Sequence, residues 1–195
     1  LSSRNVVAFF NHPKPNGFNG CEFNRTNKIV GMELWNKTSG FSYYSRYDKA
    51  IKKGWYIGAW GGTDNHSANW GNRTNYRCAV LAKELTRESI LSAIRARRFF
   101  STADKNLKLF FTCNESHMGS KTAAGSLDFS IRAYDVENFA KIDLYKNGSI
   151  IRTWVTTSSR PKKSFTCDGI SGDYFYVIVK QSDGNEAISS PIYIL

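Results

Sequence analysis

Residues 54–71 constrain the fold more than any other segment, because they join a buried-strand pattern to a polar turn. The apolar and aromatic run at 55–60 needs a core on both sides, as strands of parallel sheets do. Two glycines end the run, and Asp64 and His66 follow at once, where α/β folds bind their ligands. A carboxylate and an imidazole two residues apart can point to the same side and supply half of a divalent metal site. An exposed turn in which Asp64 bonds to its own backbone explains the same pattern.

Three other segments have the pattern of buried strands. They cover residues 6–10, 29–35 and 78–82, and loops or helices separate consecutive runs. Within the second of these runs, Glu33 interrupts an otherwise apolar strand. A buried carboxylate is costly unless a cation, a metal or hydrogen-bond donors contact it, so Glu33 is either structural or functional.

Two helices are predicted, one between the second and third of the four strand runs and one after the last. Ser45 caps a helix that runs to Lys53, and Thr86 caps a second helix that runs to about Arg98. Alternation of strands with crossovers predicts an α/β unit over residues 1–102, part of a parallel sheet or barrel. Four such units are too few to close a barrel. We therefore expect the chain to be a piece of a longer protein whose earlier units precede it.

Beyond the second helix the sequence changes to short runs that tend towards alternation of apolar and polar residues. The turn sequences 146–149 and 183–185 are typical of β-hairpins. This pattern predicts an immunoglobulin-like antiparallel β-sandwich over residues 103–195. Cys113 and Cys167 both lie in this half, and the sequence leaves open whether a disulfide joins them.

The formal net charge of +11 favours anionic partners such as phosphate esters, acidic glycans or nucleic acid. The denser basic groups, at 49–53, 95–98 and 160–163, are explained by a solvated surface as well as by a binding patch. No run of about 18 apolar residues occurs, so no membrane span is predicted.

Four motifs follow one another along the chain. They are NHP (Asn11–Pro13), E-x-W-N (Glu33–Asn36), GW…GGTDNH (Gly54–His66) and LTRESILSAIRARRFFST (Leu85–Thr102). Their order resembles the C-terminal half of the PHP-type metal-dependent hydrolases, named after polymerase and histidinol phosphatase, in the branch that includes carbaryl-type ester hydrolases. The resemblance implies a partial, distorted β/α barrel with an appended β-sandwich, in a protein exported from the cytoplasm.

The resemblance also implies a metal site. His12, Asp64 and His66 match the metal ligands and catalytic residues of the family, and the ions are Zn, Mn or Fe. Such ions activate a water that hydrolyses phosphate or carboxylic esters, here in an anionic small-molecule or polymeric substrate.

Further residues are implied to surround this site or to contact the substrate: Asn11, Glu33, Asn36, Asn65 and Trp70. The opening H-x-H motif of the family and its further ligands are absent from the 195 residues, so the metal site is incomplete. We therefore expect this chain alone to be inactive and its full-length parent to carry the activity.

Two functions remain open from the sequence. A metal-dependent hydrolase requires that His12, Asp64 and His66 converge in one pocket at the strand ends. The alternative is a non-catalytic module that binds an acidic glycan or other polyanion. It requires Arg, Lys and Trp clustered on the sandwich and no convergence of His12, Asp64 and His66. The charge permits nucleic acid as a partner, but no motif requires it.

Overall fold

The computed structural model describes residues 6–13, 25–36 and 41–195. Within these ranges the chain forms sixteen strands in three sheets and two helices. The protein is therefore mostly β. Neither of the helices in the described part is long and apolar enough to cross a membrane.

The first sheet is small and mainly parallel. It contains β1 (Ala8–Phe10), β2 (Ile29–Asn36), β3 (Phe41–Ser42) and β4 (Gly58–Gly62). Strands β1 and β4 run parallel to β2, whereas β3 pairs with it in the antiparallel sense. The carboxyl ends of β1, β2 and β4 therefore meet at one edge of the sheet. Helix α1 (Tyr44–Lys52) lies between β3 and β4 in the chain and contributes three buried residues to the core of this layer.

The other two sheets are mainly antiparallel and have four and eight strands. One has the strand order β13–β10–β7–β8 and contains β7 (Lys108–Cys113), β8 (Ser116–His117), β10 (Gly125–Tyr134) and β13 (Lys162–Gly169). The eight-stranded sheet contains β5 (Arg77–Val80), β6 (Phe99–Thr102), β9 (Lys121–Thr122), β11 (Phe139–Lys146), β12 (Ser149–Val155), β14 (Tyr174–Gln181), β15 (Glu186–Ser189) and β16 (Ile192–Ile194). Helix α2 (Arg87–Arg95) connects β5 to β6.

The eight-stranded sheet is the middle layer of the molecule. Alternate residues of β14, such as Phe175 and Val177, join the core shared with the β13–β10–β7–β8 sheet, where the Phe175 ring contacts Phe129 of β10. The intervening residues Tyr176 and Ile178 face the other way and join the core of α1 and the small sheet. Period-two alternation along β14, which is buried except at Lys180, thus supplies both cores.

Ser190 joins the small sheet to the eight-stranded sheet. Its Oγ accepts a hydrogen bond from the backbone N–H of Ala59 (3.0 Å) and donates one to the backbone carbonyl of Phe99 (2.6 Å). The close approach requires glycine on β4, because a Cβ at Gly58 would clash with the Ser190 hydroxyl and lie 2.7 Å from the Phe99 ring.

Asp173 secures the hairpin between β11 and β12. Its carboxylate pairs with the Lys146 ammonium (2.8 Å) and accepts hydrogen bonds from Asn147 Nδ2 (2.7 Å) and the Ile170 N–H (3.0 Å). Burial acts to raise the pKa of Asp173, but these donors outweigh it and hold the pKa below its ordinary value of 3.8.

The predicted partial β/α barrel is wrong, and with it the predicted fold class. Residues 78–82 were expected to add a fourth parallel strand, but β5 pairs with β6 in the antiparallel sense and belongs to the eight-stranded sheet. None of the sheets formed by the described residues closes into a barrel. The chain has the layered sheets of a β-sandwich, so the resemblance to PHP-type hydrolases and the TIM-like barrel it implies are not supported. The division at residue 102 into two domains stays a prediction.

Cys113 and Cys167 are free thiols in this structure. They lie on β7 and β13, and β10 runs between these two strands. Two strand spacings amount to roughly 9–10 Å, which is too far for a disulfide without backbone movement. Burial, followed by the nearby groups of Cys167 and Asp128, raises the pKa of Cys113 to about 11.

Candidate functional site

The three residues predicted as metal ligands lie together at the carboxyl edge of the small sheet. His12 follows β1, whereas Asp64 and His66 follow β4. Asp64 Oδ1 lies 3.1 Å from His66 Nε2 and 3.6 Å from His12 Nε2. His12 and Asp64 have left-handed backbone conformations, with φ of 49° and 47°. These strained turns direct both side chains to the same point.

Glu33 and Asn36 of β2 complete this cluster. Glu33 Oε2 accepts the backbone N–H of His12 at 2.7 Å and lies 2.8 Å from His12 Nδ1. Asn36 Nδ2 lies 2.6 Å from the same imidazole nitrogen. Both residues are buried, with 5% and 6% of their surface exposed, and Asn36 Oδ1 has no hydrogen-bond partner among the described residues. The predicted wall residues Glu33 and Asn36 therefore contact His12 directly.

The cluster is electronegative. His12 Nδ1 can donate its proton to Glu33 only when the Asn36 amide is turned so that its oxygen, rather than its nitrogen, faces Nδ1, and the lone pair of Nε2 then faces the Asp64 carboxylate. Two acceptors in this arrangement repel each other unless a proton or a cation lies between them. The same two carboxylates act on Tyr43. Burial, followed by the charges of Glu33 and Asp64, raises the pKa of the Tyr43 hydroxyl.

The remaining predicted residues are exposed around this cluster. Asn11 precedes His12, and its side chain is exposed. Asn65 bonds within its own loop, accepting from the Ser67 N–H and donating to Asn69 Oδ1. Trp70 is on the same loop with 73% of its surface exposed. A role of these residues towards a ligand stays a prediction.

The polar cluster is held by hydrogen bonds between its own members. Within the described ranges, no group of three or more His, Cys, Asp and Glu side chains is already arranged to hold a metal ion. Ligand atoms around a tetrahedral ion lie roughly 3.3–3.4 Å apart, so the separations of 3.1 and 3.6 Å at Asp64 are of the right size. Binding would require small side-chain movements that exchange hydrogen bonds for coordination.

A second candidate site is an open groove of about 620 Å³. It lies on the outer face of the β13–β10–β7–β8 sheet. Lys108 and Phe110 of β7 lie opposite Tyr134 and Arg132 of β10, respectively. The Arg132 guanidinium lies 5.8 Å from the Phe110 ring centre, and the Phe110 and Tyr134 rings meet edge to face at 6.0 Å. The groove is also lined by Asn106, Asp135, Val136 and Arg160.

This groove combines three cationic side chains with two aromatic rings and one carboxylate. Its volume lies within the range of roughly 300–1,000 Å³ that is typical of sites for small ligands. Guanidinium and ammonium groups bind carboxylates, sulfates and phosphates by charge-assisted hydrogen bonds. The groove can therefore hold an anionic ligand that also presents an apolar surface to the rings.

Sequence reasoning missed most of this groove. It recognised the basic group that begins at Arg160 but treated a solvated surface as an equal explanation. The overlooked signal is period-two spacing, since Lys108/Phe110 and Arg132/Tyr134 are each two residues apart on strands whose intervening residues are buried. Pairing of the two strands in this register cannot be read from either strand alone.

No protein-family model matches the chain. An uncharacterized protein of Chlamydia pneumoniae is 24% identical over 212 residues, which cover 98% of this chain and 32% of that protein. The chain thus spans about a third of the length of the curated relative it matches.

Two solved structures are similar to parts of the chain. The sulfur carrier protein SoxY from Chlorobium limicola f thiosulfatophilum has 9% identity and a TM-score of 0.35, covering 47% of this chain and 81% of its own. The fibronectin(III)-like modules of Clostridium thermocellum CbhA have 18% identity and a TM-score of 0.32, covering 43% of this chain and 93% of theirs.

These comparisons and the fold correct the sequence prediction of a PHP-type hydrolase. No family model supports it, and the antiparallel pairing of β5 with β6 removes the barrel on which it depended. A non-catalytic binding module is compatible with the β-sandwich architecture.

Proposed function

We propose that this chain is a non-catalytic binding module for an anionic ligand, an acidic glycan or other polyanion. The observation that carries the proposal is the groove in which Lys108, Arg132 and Arg160 surround the rings of Phe110 and Tyr134. The strands below it are anchored, because the alternate residues of β7 and β10 are buried in the sandwich core. The groove is therefore preorganised, which lowers the entropic cost of binding.

The groove acts locally, whereas the net charge of +11 acts over the whole surface. The overall charge attracts any polyanion and speeds its encounter with the protein, and salt screens this attraction. Contacts with Arg132 in the groove add charge-assisted hydrogen bonds that depend on geometry. A binding module in this sense must lose affinity when one groove arginine is removed, but not when an arginine elsewhere is removed.

The test compares Arg132→Gln with Arg152→Gln. Both arginines are exposed on sandwich strands, and each lies over an aromatic ring, at 5.8 Å from Phe110 and 5.7 Å from Trp154. Isothermal titration with a sulfated glycan oligomer in physiological salt is the assay. Loss of one charge-assisted hydrogen bond is expected to weaken binding roughly tenfold or more in Arg132→Gln, and Arg152→Gln should bind like the unaltered chain. Equal losses in both variants, or no binding at all, would contradict the proposal.

The polar cluster supports a second candidate function, the binding of a divalent cation such as Zn²⁺, Mn²⁺ or Fe²⁺. The specific observation is the approach of His12 Nε2 and His66 Nε2 to the Asp64 carboxylate. Imidazole nitrogens and carboxylate oxygens suit these metals. A histidine that ligates a metal usually donates its other N–H to a carboxylate, and Glu33 lies in that position beside His12 Nδ1.

Cation binding is tested by titrating the chain with Zn²⁺ and Mn²⁺ and by elemental analysis. Asp64→Asn should abolish stoichiometric binding, because it replaces the charged carboxylate that both imidazoles approach by a neutral amide. His117→Asn is the matched control, since His117 is exposed on β8 in a different sheet from the cluster. Binding that persists in Asp64→Asn but disappears in His117→Asn would exclude the cluster as the site.

A further inference from the structure

The cationic surface of the groove extends beyond β7 and β10 onto β13. The register of β10 against β13 places Lys162 directly opposite Arg132. Lys162 is exposed, and its side chain points away from the core, because Phe165 and Cys167, an odd number of positions away on the same strand, pack against the core. Lys162 therefore lies beside Arg132 on the outer face of the sheet.

The same register orders the other side chains of the groove. Two backbone hydrogen bonds join residues 133–135 to residues 159–161, so Tyr134 lies opposite Arg160. On its other side Tyr134 lies opposite Lys108. Two rows of side chains thus cross the three strands, and in the strand order β13, β10, β7 they are Lys162, Arg132 and Phe110, and then Arg160, Tyr134 and Lys108.

The four cations in these rows repel one another. Like charges directly opposite each other on neighbouring strands destabilise a sheet, and Arg132 and Lys162 are such a pair. On the eight-stranded sheet, by contrast, Lys141, Lys146 and Lys180 each form an ion pair with a carboxylate. None of the four cations in the groove forms an ion pair with another residue that the structure describes. A bound anion would relieve this repulsion.

We propose that the groove binds two anionic groups of one acidic glycan chain, the first between Arg132 and Lys162 and the second at Lys108. This inference rests on the proposed function of the groove and adds Lys162 to its binding residues. Arg132 and Lys162 are one strand spacing apart, roughly 5 Å between backbones, so both side chains can contact one anion. Lys108 is two spacings, or roughly 10 Å, from β13, and the Tyr134 ring separates it from Arg160. It therefore contacts a separate anionic group.

The charges along β10 determine the direction of the ligand. The outward residues of this strand change from Arg132 through Ser130 to the exposed Asp128. A polyanion that followed the strand would meet this carboxylate and be repelled. A chain that crosses the strands stays on the two cationic rows.

The row next to Arg132 favours a sugar chain over a nucleic acid. It contains the hydroxyls of Ser164, Ser130 and Thr112, which lie opposite one another on the three strands. Hydroxyls both donate and accept hydrogen bonds, as the hydroxyls of a sugar do, whereas phosphodiesters only accept. The C–H face of a pyranose ring also offers an apolar surface to Tyr134. An acidic glycan therefore matches the cations, the ring and the hydroxyl row together.

The test compares Lys162→Gln with Lys163→Gln. Both variants lose one positive charge from the same strand, but Lys163 lies opposite Ile131 on the face that is turned towards the core. Isothermal titration in physiological salt measures the affinity for the sulfated glycan oligomer and, as a second probe, for a thymidine hexanucleotide. Urea unfolding measures the stability of each protein without ligand.

The expected result separates binding from stability. Lys162→Gln should bind the glycan roughly fivefold more weakly or worse, whereas Lys163→Gln should bind like the unaltered chain. Without ligand, Lys162→Gln should unfold at an equal or higher urea concentration, because the repulsion by Arg132 is relieved. A lysine with a purely structural role would lose stability instead.

Double variants test for two anionic groups. The losses of Lys108→Gln and Lys162→Gln should multiply, because the two lysines contact separate groups. The losses of Arg132→Gln and Lys162→Gln should not multiply, because these two residues share one anion. No loss of affinity in Lys108→Gln would refute the second anionic group.

Other outcomes overturn the inference without deciding the proposed function. Equal losses in Lys162→Gln and Lys163→Gln would show that only the net charge acts, and no loss in either would exclude Lys162 from the site. Tighter binding of the hexanucleotide than of the glycan would make the ligand a nucleic acid. In each case the comparison of Arg132→Gln with Arg152→Gln decides the proposed function: a loss confined to Arg132→Gln leaves it standing, and equal effects in both refute it as well.

Discussion

The buried hydroxyl of Ser190 should contribute measurably to stability, because it is hydrogen-bonded on both sides. Ser190 is fully buried and connects the Ala59 N–H (3.0 Å) with the Phe99 carbonyl (2.6 Å). In Ser190→Ala the Ala59 N–H loses this acceptor, whereas the Phe99 carbonyl keeps the backbone N–H of Ser190 at 3.2 Å. One orphaned buried donor costs about 1–3 kcal/mol. We therefore expect Ser190→Ala to lower the free energy of unfolding by about 2 kcal/mol.

Ser101→Ala provides the matched control. Ser101 is equally buried, but its Oγ has no hydrogen-bond partner among the described residues. Removing an unsatisfied hydroxyl is expected to be neutral or slightly stabilising.

The assay is thermal unfolding followed by circular dichroism, supported by urea denaturation. For a chain of this length, 1 kcal/mol corresponds to roughly 2–4 °C in Tm, so Ser190→Ala should unfold about 4–8 °C below the unaltered chain. Equal losses in Ser190→Ala and Ser101→Ala would refute the reasoning from hydrogen bonds. They would indicate that only packing volume matters at this junction.

Two further variants test the same physical account. Asp173→Asn should destabilise the chain by about 1.5–3 kcal/mol at pH 7, because it removes the charge that pairs with Lys146 at 2.8 Å. Because folding lowers the pKa of Asp173, its carboxylate stabilises the folded chain above the ordinary pKa of 3.8, and this stabilisation is lost as the pH falls through the folded pKa. The free energies of unfolding of the two proteins, measured with urea, should therefore converge in acid. Gly58→Ala should cost about 1–3 kcal/mol by overpacking against the Phe99 ring. Gly62→Ala is its control, since a Cβ there would meet only Glu33 at 3.7 Å; similar losses in the two glycine variants would contradict the clash.

Local features of the fold could be predicted from the sequence because they depend on a few adjacent residues. The Asn147–Gly148 turn places Lys146 opposite Ser149 in the β11–β12 hairpin, as predicted. Thr86 caps α2 by accepting the Ser89 N–H, which is also confirmed. The predicted Ser45 cap is wrong, because α1 begins at Tyr44 without a side-chain cap.

Strand partners could not be predicted in the same way. The run at 78–82 is apolar enough for a parallel strand buried on both faces, and a helix follows it as in a strand-crossover unit. In the structure α2 returns the chain so that Phe99–Thr102 lies antiparallel beside Arg77–Val80. β15 then pairs with the free side of β6 and extends the sheet. This second partner of β6, residues 186–189, lies more than 80 positions away in the chain, and no local pattern encodes it.

The part of the polar cluster that depends only on the ends of parallel strands could be predicted from the sequence. Asp64 and His66 were placed together from their spacing, and His12 joins them because β1 and β4 both flank β2. The contact between Glu33 and His12 depends on the register of β1 against β2, which contains an irregularity at Ala8/Phe9. A shift of β2 by one residue in this register would turn the Glu33 side chain to the opposite face of the sheet.

The two candidate sites differ in the sign of their charge, and this difference allows their functions to be separated in one experiment. The cluster presents the carboxylates of Glu33 and Asp64, whereas the groove presents Lys108, Arg132 and Arg160. A chelator should therefore remove any cation from the cluster without changing the affinity of the groove for an acidic glycan. Titration with the sulfated glycan oligomer before and after chelation measures this. If chelation abolishes glycan binding, the ligand is held through a metal at the cluster, and the groove is not the binding site.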